Sequence, residues 1–236
     1  TGLSNWTPVP IAGLTARLNE KSNSIKQLVA EKAITLTKYD DRNSFPLASD
    51  KTGRYALLDI AKNKSTAFSL EMRKNYNADV FLFDNSKTDR EADSLFQFLQ
   101  SNYEKVIVAI HELPRYPANN FNMSKPIIGL VQKLSKNMAV NLFIFGNPYA
   151  AKSFCDVKNI MVCYEDDAIV QETAARMLSG ELPTEGSLPV SVCASLPAGS
   201  GIVMPAIAAQ VFSPTNRAAN GIDKMAKVDS IIQDAI

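Results

Sequence analysis

Histidine is almost absent from this chain of 236 residues, with His111 the only one. That excludes a histidine-rich metal centre. Cysteine is scarce as well: Cys155, Cys163 and Cys193 make an odd count at spacings of 8 and 30. This is neither a disulfide framework nor a zinc pattern, so the three read as small buried apolar residues. Charge of one sign is missing, since 25 basic residues against 24 acidic ones leave a net charge of +1. No run of Lys and Arg marks a nucleic-acid footprint. The longest apolar runs have strand length, far short of the ~20 residues that a spanning helix needs. There is no Walker A loop and no G-x-G-x-x-G turn, so nothing in the sequence calls for a nucleotide or other cofactor. Thr1 carries neither an initiator Met nor a signal-peptide pattern, which is expected of a mature or excised segment.

What is present has the length and balance of a single α/β domain with extensions, or at most two small domains, 46% hydrophobic and 21% charged. Residues 1–18, with Trp6, Pro8 and Pro10, read as a leading linker. A helical pattern follows over 18–33, with Ile25, Leu28, Val29 and Lys32 on one face and the Lys stem covering its edge. Near-continuous apolar runs then recur at 55–60, 79–83, 106–110, 141–145 and 160–164, separated by helical patterns near 66–75, 88–101, 124–137, 148–154 and 167–179. Strands that are apolar on both sides belong in a parallel sheet with helices on each face. The expected fold is a three-layer α/β/α sandwich of about six mostly parallel strands. The helix over 167–179 has Asp166 as its N-cap, a stripe of Val170, Ala174, Met177 and Leu178, and Gly180 at its end. Gly201 to Pro205 reads as one more edge strand, and residues 205–236 as a linker with the start of a following helix.

The segment from Phe145 to Val192 strings together Gly146-Asn147-Pro148-Tyr149, Tyr164-Glu165, the helix ending at Gly180, and Leu188-Pro189-Val190. This order resembles the C-terminal α/β sandwich domain of family 3 glycoside hydrolases, over about residues 19–204. The resemblance implies half of an enzyme. Family members pair this domain with an N-terminal (β/α)8 barrel that carries the nucleophilic Asp, and they cleave β-linked sugars with retention through a covalent intermediate. A barrel of about 250 residues has no room before residue 20. The resemblance further implies a periplasmic or secreted home. The tail is similar to the first helix of serine β-lactamase-like domains, which follow a family 3 hydrolase in some bacterial proteins.

In many two-domain β-glucosidases of the family, a Glu on the loop after a middle strand of the sandwich is the acid/base. The matching loop here is His111-Glu112-Leu113-Pro114-Arg115-Tyr116-Pro117. Glu112 sits nearer the strand end than that Glu, and residues 115–120 hold no carboxylate. The β-N-acetylglucosaminidase branch takes its acid/base, a His, from a barrel loop, and the missing Glu favours that branch. No residue of this chain is therefore expected to be catalytic. His111, Glu112, Arg115 and Tyr116 are the candidates for contact with carbohydrate at the domain interface. Asn147-Pro148 suits a helix start. Gly199-Ser200-Gly201 fails as a nucleophile elbow, because Ala198 and Pro197 precede it.

Two other readings stay open. A stand-alone carbohydrate-binding or interaction module would expose aromatics near Tyr116, Phe121 and Tyr149. An independent hydrolase would pair Glu112 with Asp84 or Glu165, at ~5–5.5 Å for retention or ~6.5–9.5 Å for inversion.

Overall fold

The computed structural model describes residues 11–40, 45–47, 53–61 and 65–207. Six strands form one sheet: β1 (Thr35–Tyr39), β2 (Tyr55–Ile60), β3 (Asp79–Leu82), β4 (Lys105–Ile110), β5 (Ala139–Ile144) and β6 (Asn159–Val162). Their order is β1-β6-β5-β4-β2-β3. All neighbours run parallel except β1, which pairs antiparallel with β6. The expected mostly parallel sandwich is thus the observed fold.

The strands carry two cores because side chains alternate across a sheet. Ala56, Leu58 and Ile60 of β2 face one way, into a core shared with helices α4 (Asp89–Asn102) and α6 (Lys125–Asn137). Tyr55 and Leu57 face the other way, into a core with α3 (Ala67–Tyr76) and α7 (Ala168–Leu178). Both sides of β4 are sealed, with residues 106–110 all fully buried. Each such Val or Ile contributes roughly 1.5–3 kcal/mol relative to exposure.

Helix starts are fixed locally. Thr66 caps α3 by accepting from Ser69 N, and Thr88 with Glu91 forms a reciprocal capping box on α4. Asp167, not Asp166, caps α7 by accepting from Val170 N at 3.0 Å. Asp166 is drawn away by a stronger set of partners, described below. Gly180 ends α7 in the left-handed region with φ +72°, as the sequence indicates.

Three expectations are corrected. The helical pattern over 18–33 is broken into α1 (Leu14–Asn19) and α2 (Ser22–Ala33). Ile25, Leu28 and Val29 do share a face of α2, and it is exposed, with polar contacts to α7 on the other side. Gly201 to Pro205 is not a strand: only a single bridge joins Met204 to Thr184. Cys155 and Cys193 are not separate buried residues but a disulfide, which leaves only Cys163 free and buried. Sequence spacing could not pair them, because the bond ties the short 3-10 helix Pro148–Phe154 to the loop after α7. Residues 1–10 of the expected linker and nearly all of the 205–236 tail lie outside the described residues.

The disulfide closes a loop of 38 residues. Replacing both cysteines with Ser is expected to lower the unfolding free energy by about 2–4 kcal/mol. Thermal melts of the chain with and without reductant check this, and equal midpoints would contradict it.

Candidate functional site at the carboxyl edge of the sheet

In open α/β sheets, ligands bind beyond the carboxyl ends of the strands, where the connections turn in opposite directions. Here β2 connects to β3 on one side while β4 connects to β5 on the other, so that point lies between β2 and β4. Asp59, near the end of β2, and His111, just past β4, meet there.

The His111 side chain is 1% exposed and Asp59 is fully buried. Imidazole Nδ1 lies 2.7 Å from Asp166 Oδ1, and Nε2 lies 3.4 Å from Asp59 Oδ1 without a hydrogen bond between them. The ring stacks flat on Phe145, centroids 4.5 Å apart at 7°. Asp59 Oδ2 accepts from Thr66 Oγ1 at 3.0 Å. Asp166 also accepts from Gln171 Nε2 and from the Glu112 backbone N–H, each at 2.7 Å. Gln171 in turn accepts from Phe68 N at 3.2 Å.

One histidine between two carboxylates thus ties together β2, α3, β4 and α7. Burial pushes the Asp59 carboxyl above its ordinary value, against the opposing pull of His111 and Thr66. Burial also raises the Cys163 thiol well above its ordinary range, which keeps it protonated and unreactive.

Glu112 is set by this cluster. Its amide is held by Asp166, and its φ is +55°, a conformation that a side chain other than Asn or Asp seldom adopts. It separates two depressions. One is a small crevice with Asp84, Asn85 and Asn122 on its walls. The other is a groove of about 490 Å³ with Arg115, Asn147, Tyr164 and Glu165. The groove has the size of ordinary ligand clefts. A third hollow of about 400 Å³ lies between Pro117, Asn120 and Tyr149. The stretch Asn119–Asn122 beside it is left-handed at all four residues, with φ from 51° to 58°. Asn tolerates this better than other side chains, and three of the four are Asn.

The structure brings Glu112 and Arg115 to the groove and leaves Tyr116 72% exposed, while His111, its side chain 1% exposed, lines the small crevice. Tyr149 is exposed at 44% but Phe121 is buried, so the aromatic display is two rings rather than three. Asp84 and Glu165 line different depressions, each together with Glu112. Asp84 is occupied in its own turn, accepting from Ser86 N and Oγ, which lowers its carboxyl below the ordinary value. Among the described residues, no group of three or more His, Cys, Asp or Glu is placed to hold a metal ion.

Sequence reasoning missed Asp59, Asp166 and Gln171. Asp59 had a signal: it is the one charge inside the apolar strand Tyr55–Ile60.

No family model matches the sequence, and the search of curated proteins found no match. Solved structures do match. One is a fungal multi-domain family 3 β-N-acetylglucosaminidase with a GCN5-related glucosamine N-acetyltransferase region (TM-score 0.60, 19% identity, 81% of this chain and 21% of that one). A second is a family 3 β-N-acetylglucosaminidase from Paenibacillus sp. str. FPU-7 (TM-score 0.57, 18% identity, 74% of this chain and 33% of that one). The fold is that of a part of family 3 glycoside hydrolases. A β-glucosidase from Listeria innocua matches as well (TM-score 0.56, 14% identity, 74% of this chain and 28% of that one). The chain therefore spans a fifth to a third of the length of these proteins. In this family 3 fold, the buried His111 cluster sits where the sheet presents its loops.

Proposed function

We propose that this chain is the accessory α/β domain of a retaining β-glycosidase of the β-N-acetylglucosaminidase type. It packs against a (β/α)8 barrel that carries the nucleophile and has no hydrolytic activity alone. The observation that carries this reading is the fold likeness, which takes in most of this chain but only 21–33% of the three structures named above. The burial of His111 and Asp59 agrees with it. A general acid or base must come within hydrogen-bond reach of substrate, and these two are enclosed.

The loop that holds Glu112, Arg115 and Tyr116 would wall the sugar site across the domain interface. Tyr116 offers a ring face to a pyranose, and Arg115 offers donors to its hydroxyls. In the complete gene product, Tyr116→Ala is expected to raise KM for a chromogenic β-N-acetylglucosaminide about tenfold with kcat little changed. That is about 1.4 kcal/mol of uniform binding. An unchanged KM removes Tyr116 from the site.

The Cys155–Cys193 disulfide supports an oxidising compartment, periplasmic or extracellular. A stand-alone carbohydrate-binding module is the second reading, favoured by the exposure of Tyr116 and Tyr149. It predicts that the isolated chain binds soluble glycan by calorimetry.

A further inference from the structure

Asp166 holds three groups at once. Its Oδ1 lies 2.7 Å from His111 Nδ1 and accepts from Gln171 Nε2, while its Oδ2 accepts from the Glu112 amide. An ionised carboxylate only accepts, so Nδ1 carries the proton of that contact. His111 Nε2 then faces Asp59 Oδ1 at 3.4 Å, and neither atom has a hydrogen-bond partner among the described residues. Both side chains are sealed off, at 1% and 0% exposure. The proton count decides whether this contact holds. With a proton on Asp59 or on Nε2 the two groups attract. With none, a lone pair faces a carboxylate in a place that water does not reach. The charges around the ring are Asp59 from β2, Asp166 from the turn before α7 and Glu112 from the ring's own loop. Phe145 after β5, Thr66 before α3 and Gln171 on α7 are neutral, and the Cys163 thiol after β6 keeps its proton.

We propose that the His111–Asp59 pair is a proton-operated latch on the loop that carries Glu112, Arg115 and Tyr116. While the pair holds its proton, the ring stays on Phe145, Nδ1 stays on Asp166, and Asp166 keeps the Glu112 amide. When the proton leaves, Asp59 repels the ring, Asp166 loses its imidazole partner, and the amide is released. Glu112 is the residue to respond, because its φ of +55° is held against local preference. Without the bond from Asp166 it returns to extended backbone. The latch is therefore shut at low pH and open at high pH. The sign agrees with the raised Asp59 carboxyl, whose contribution to stability is present below the unfolded value and lost as pH rises through the folded one. The latch stands on the geometry of the cluster. Its effect on sugar binding rests on the reading of this loop as a wall of the sugar site.

A single histidine makes the test direct, since its ring signals in NMR need no assignment. In the 236-residue chain, the imidazole nitrogen shifts and the exchange protection of the Glu112 amide are followed from pH 5 to pH 9. Both are expected to change with one midpoint, and the protection to fall about tenfold or more across it. Asp59→Asn supplies the missing proton at every pH, because its Oδ1 can accept from Thr66 while its Nδ2 donates to Nε2. That variant should keep Glu112 protected over the whole range. Protection that does not vary with pH, that changes at another midpoint than the ring, or that still collapses in Asp59→Asn overturns the proposal. In the complete gene product, KM for a chromogenic β-N-acetylglucosaminide should rise across the same midpoint and stay level in Asp59→Asn. An amide that responds while KM does not removes the loop from the sugar site and leaves the latch. A level amide sinks the latch whatever KM does.

Discussion

Replacing His111 with Phe is expected to lower the unfolding free energy by about 1–3 kcal/mol, the usual cost of leaving a buried polar group without its partner. The new ring fills the space beside Phe145 but cannot answer Asp59 or Asp166. Asp59 then keeps only Thr66, in a place with no access to water. The loss should depend on pH. The folded Asp59 already holds its proton more tightly than the unfolded one, because burial raises its carboxyl. A raised folded value means that stability is fully present below the unfolded value of about 3.8 and falls as pH rises through the folded value. Without His111 the rise is larger, so the variant should be weakest at neutral pH and recover toward the wild type on acidification. Urea melts at pH 4 and pH 7 measure this. A second change, Asp59→Asn, should restore more than half of the loss at pH 7. A loss that does not vary with pH, or an Asp59→Asn change that restores nothing, would show that the carboxylate is not what His111 compensates.

Phe68→Ala is expected to cost about 3–5 kcal/mol, by cavity formation rather than charge. Phe68 opens α3 and is fully buried. Its ring lies 4.8 Å from that of Phe143 and 5.3 Å from that of Phe145, so it presses the helix onto the middle of the sheet. Phe145 is also the platform under His111. The cavity should therefore loosen the cluster, and Asp166 should release the Glu112 amide. The measurement is denaturant unfolding together with exchange of the Glu112 amide. A loss under 1 kcal/mol, or a Glu112 amide as protected as before, would separate the aromatic floor from the cluster above it.

The layout of the sheet was legible because parallel strands buried on both faces leave near-continuous apolar runs, as in Val106 to Ile110. The stripe of α7 was legible for the same reason: Val170, Ala174, Met177 and Leu178 are all buried. The loop at 111–116 could be placed because loops that follow such strands converge on one edge. The cluster behind it could not. Its members come from β2, β4 and the start of α7, brought together only by the order of the strands. Asp166 is one of three acids in a row, and helix-dipole reasoning accounts for all three without telling Asp167, the cap, from Asp166, the partner of His111. For α2 the periodicity was right, and it carried no direction. Ile25, Leu28 and Val29 do share a face, but spacing alone does not say whether a face meets its own core or another surface. The disulfide was hidden because Cys155 and Cys193 are brought together by packing that no local pattern encodes.

The most direct measurement is the hydrolysis of chromogenic β-N-acetylglucosaminide and β-glucoside by the purified 236-residue chain, beside the complete gene product. The account predicts turnover by the complete product and none by the chain, because the proposed function puts the reacting groups on another domain. Turnover by the chain itself, abolished by Glu112→Gln, would contradict it and make this domain an enzyme in its own right.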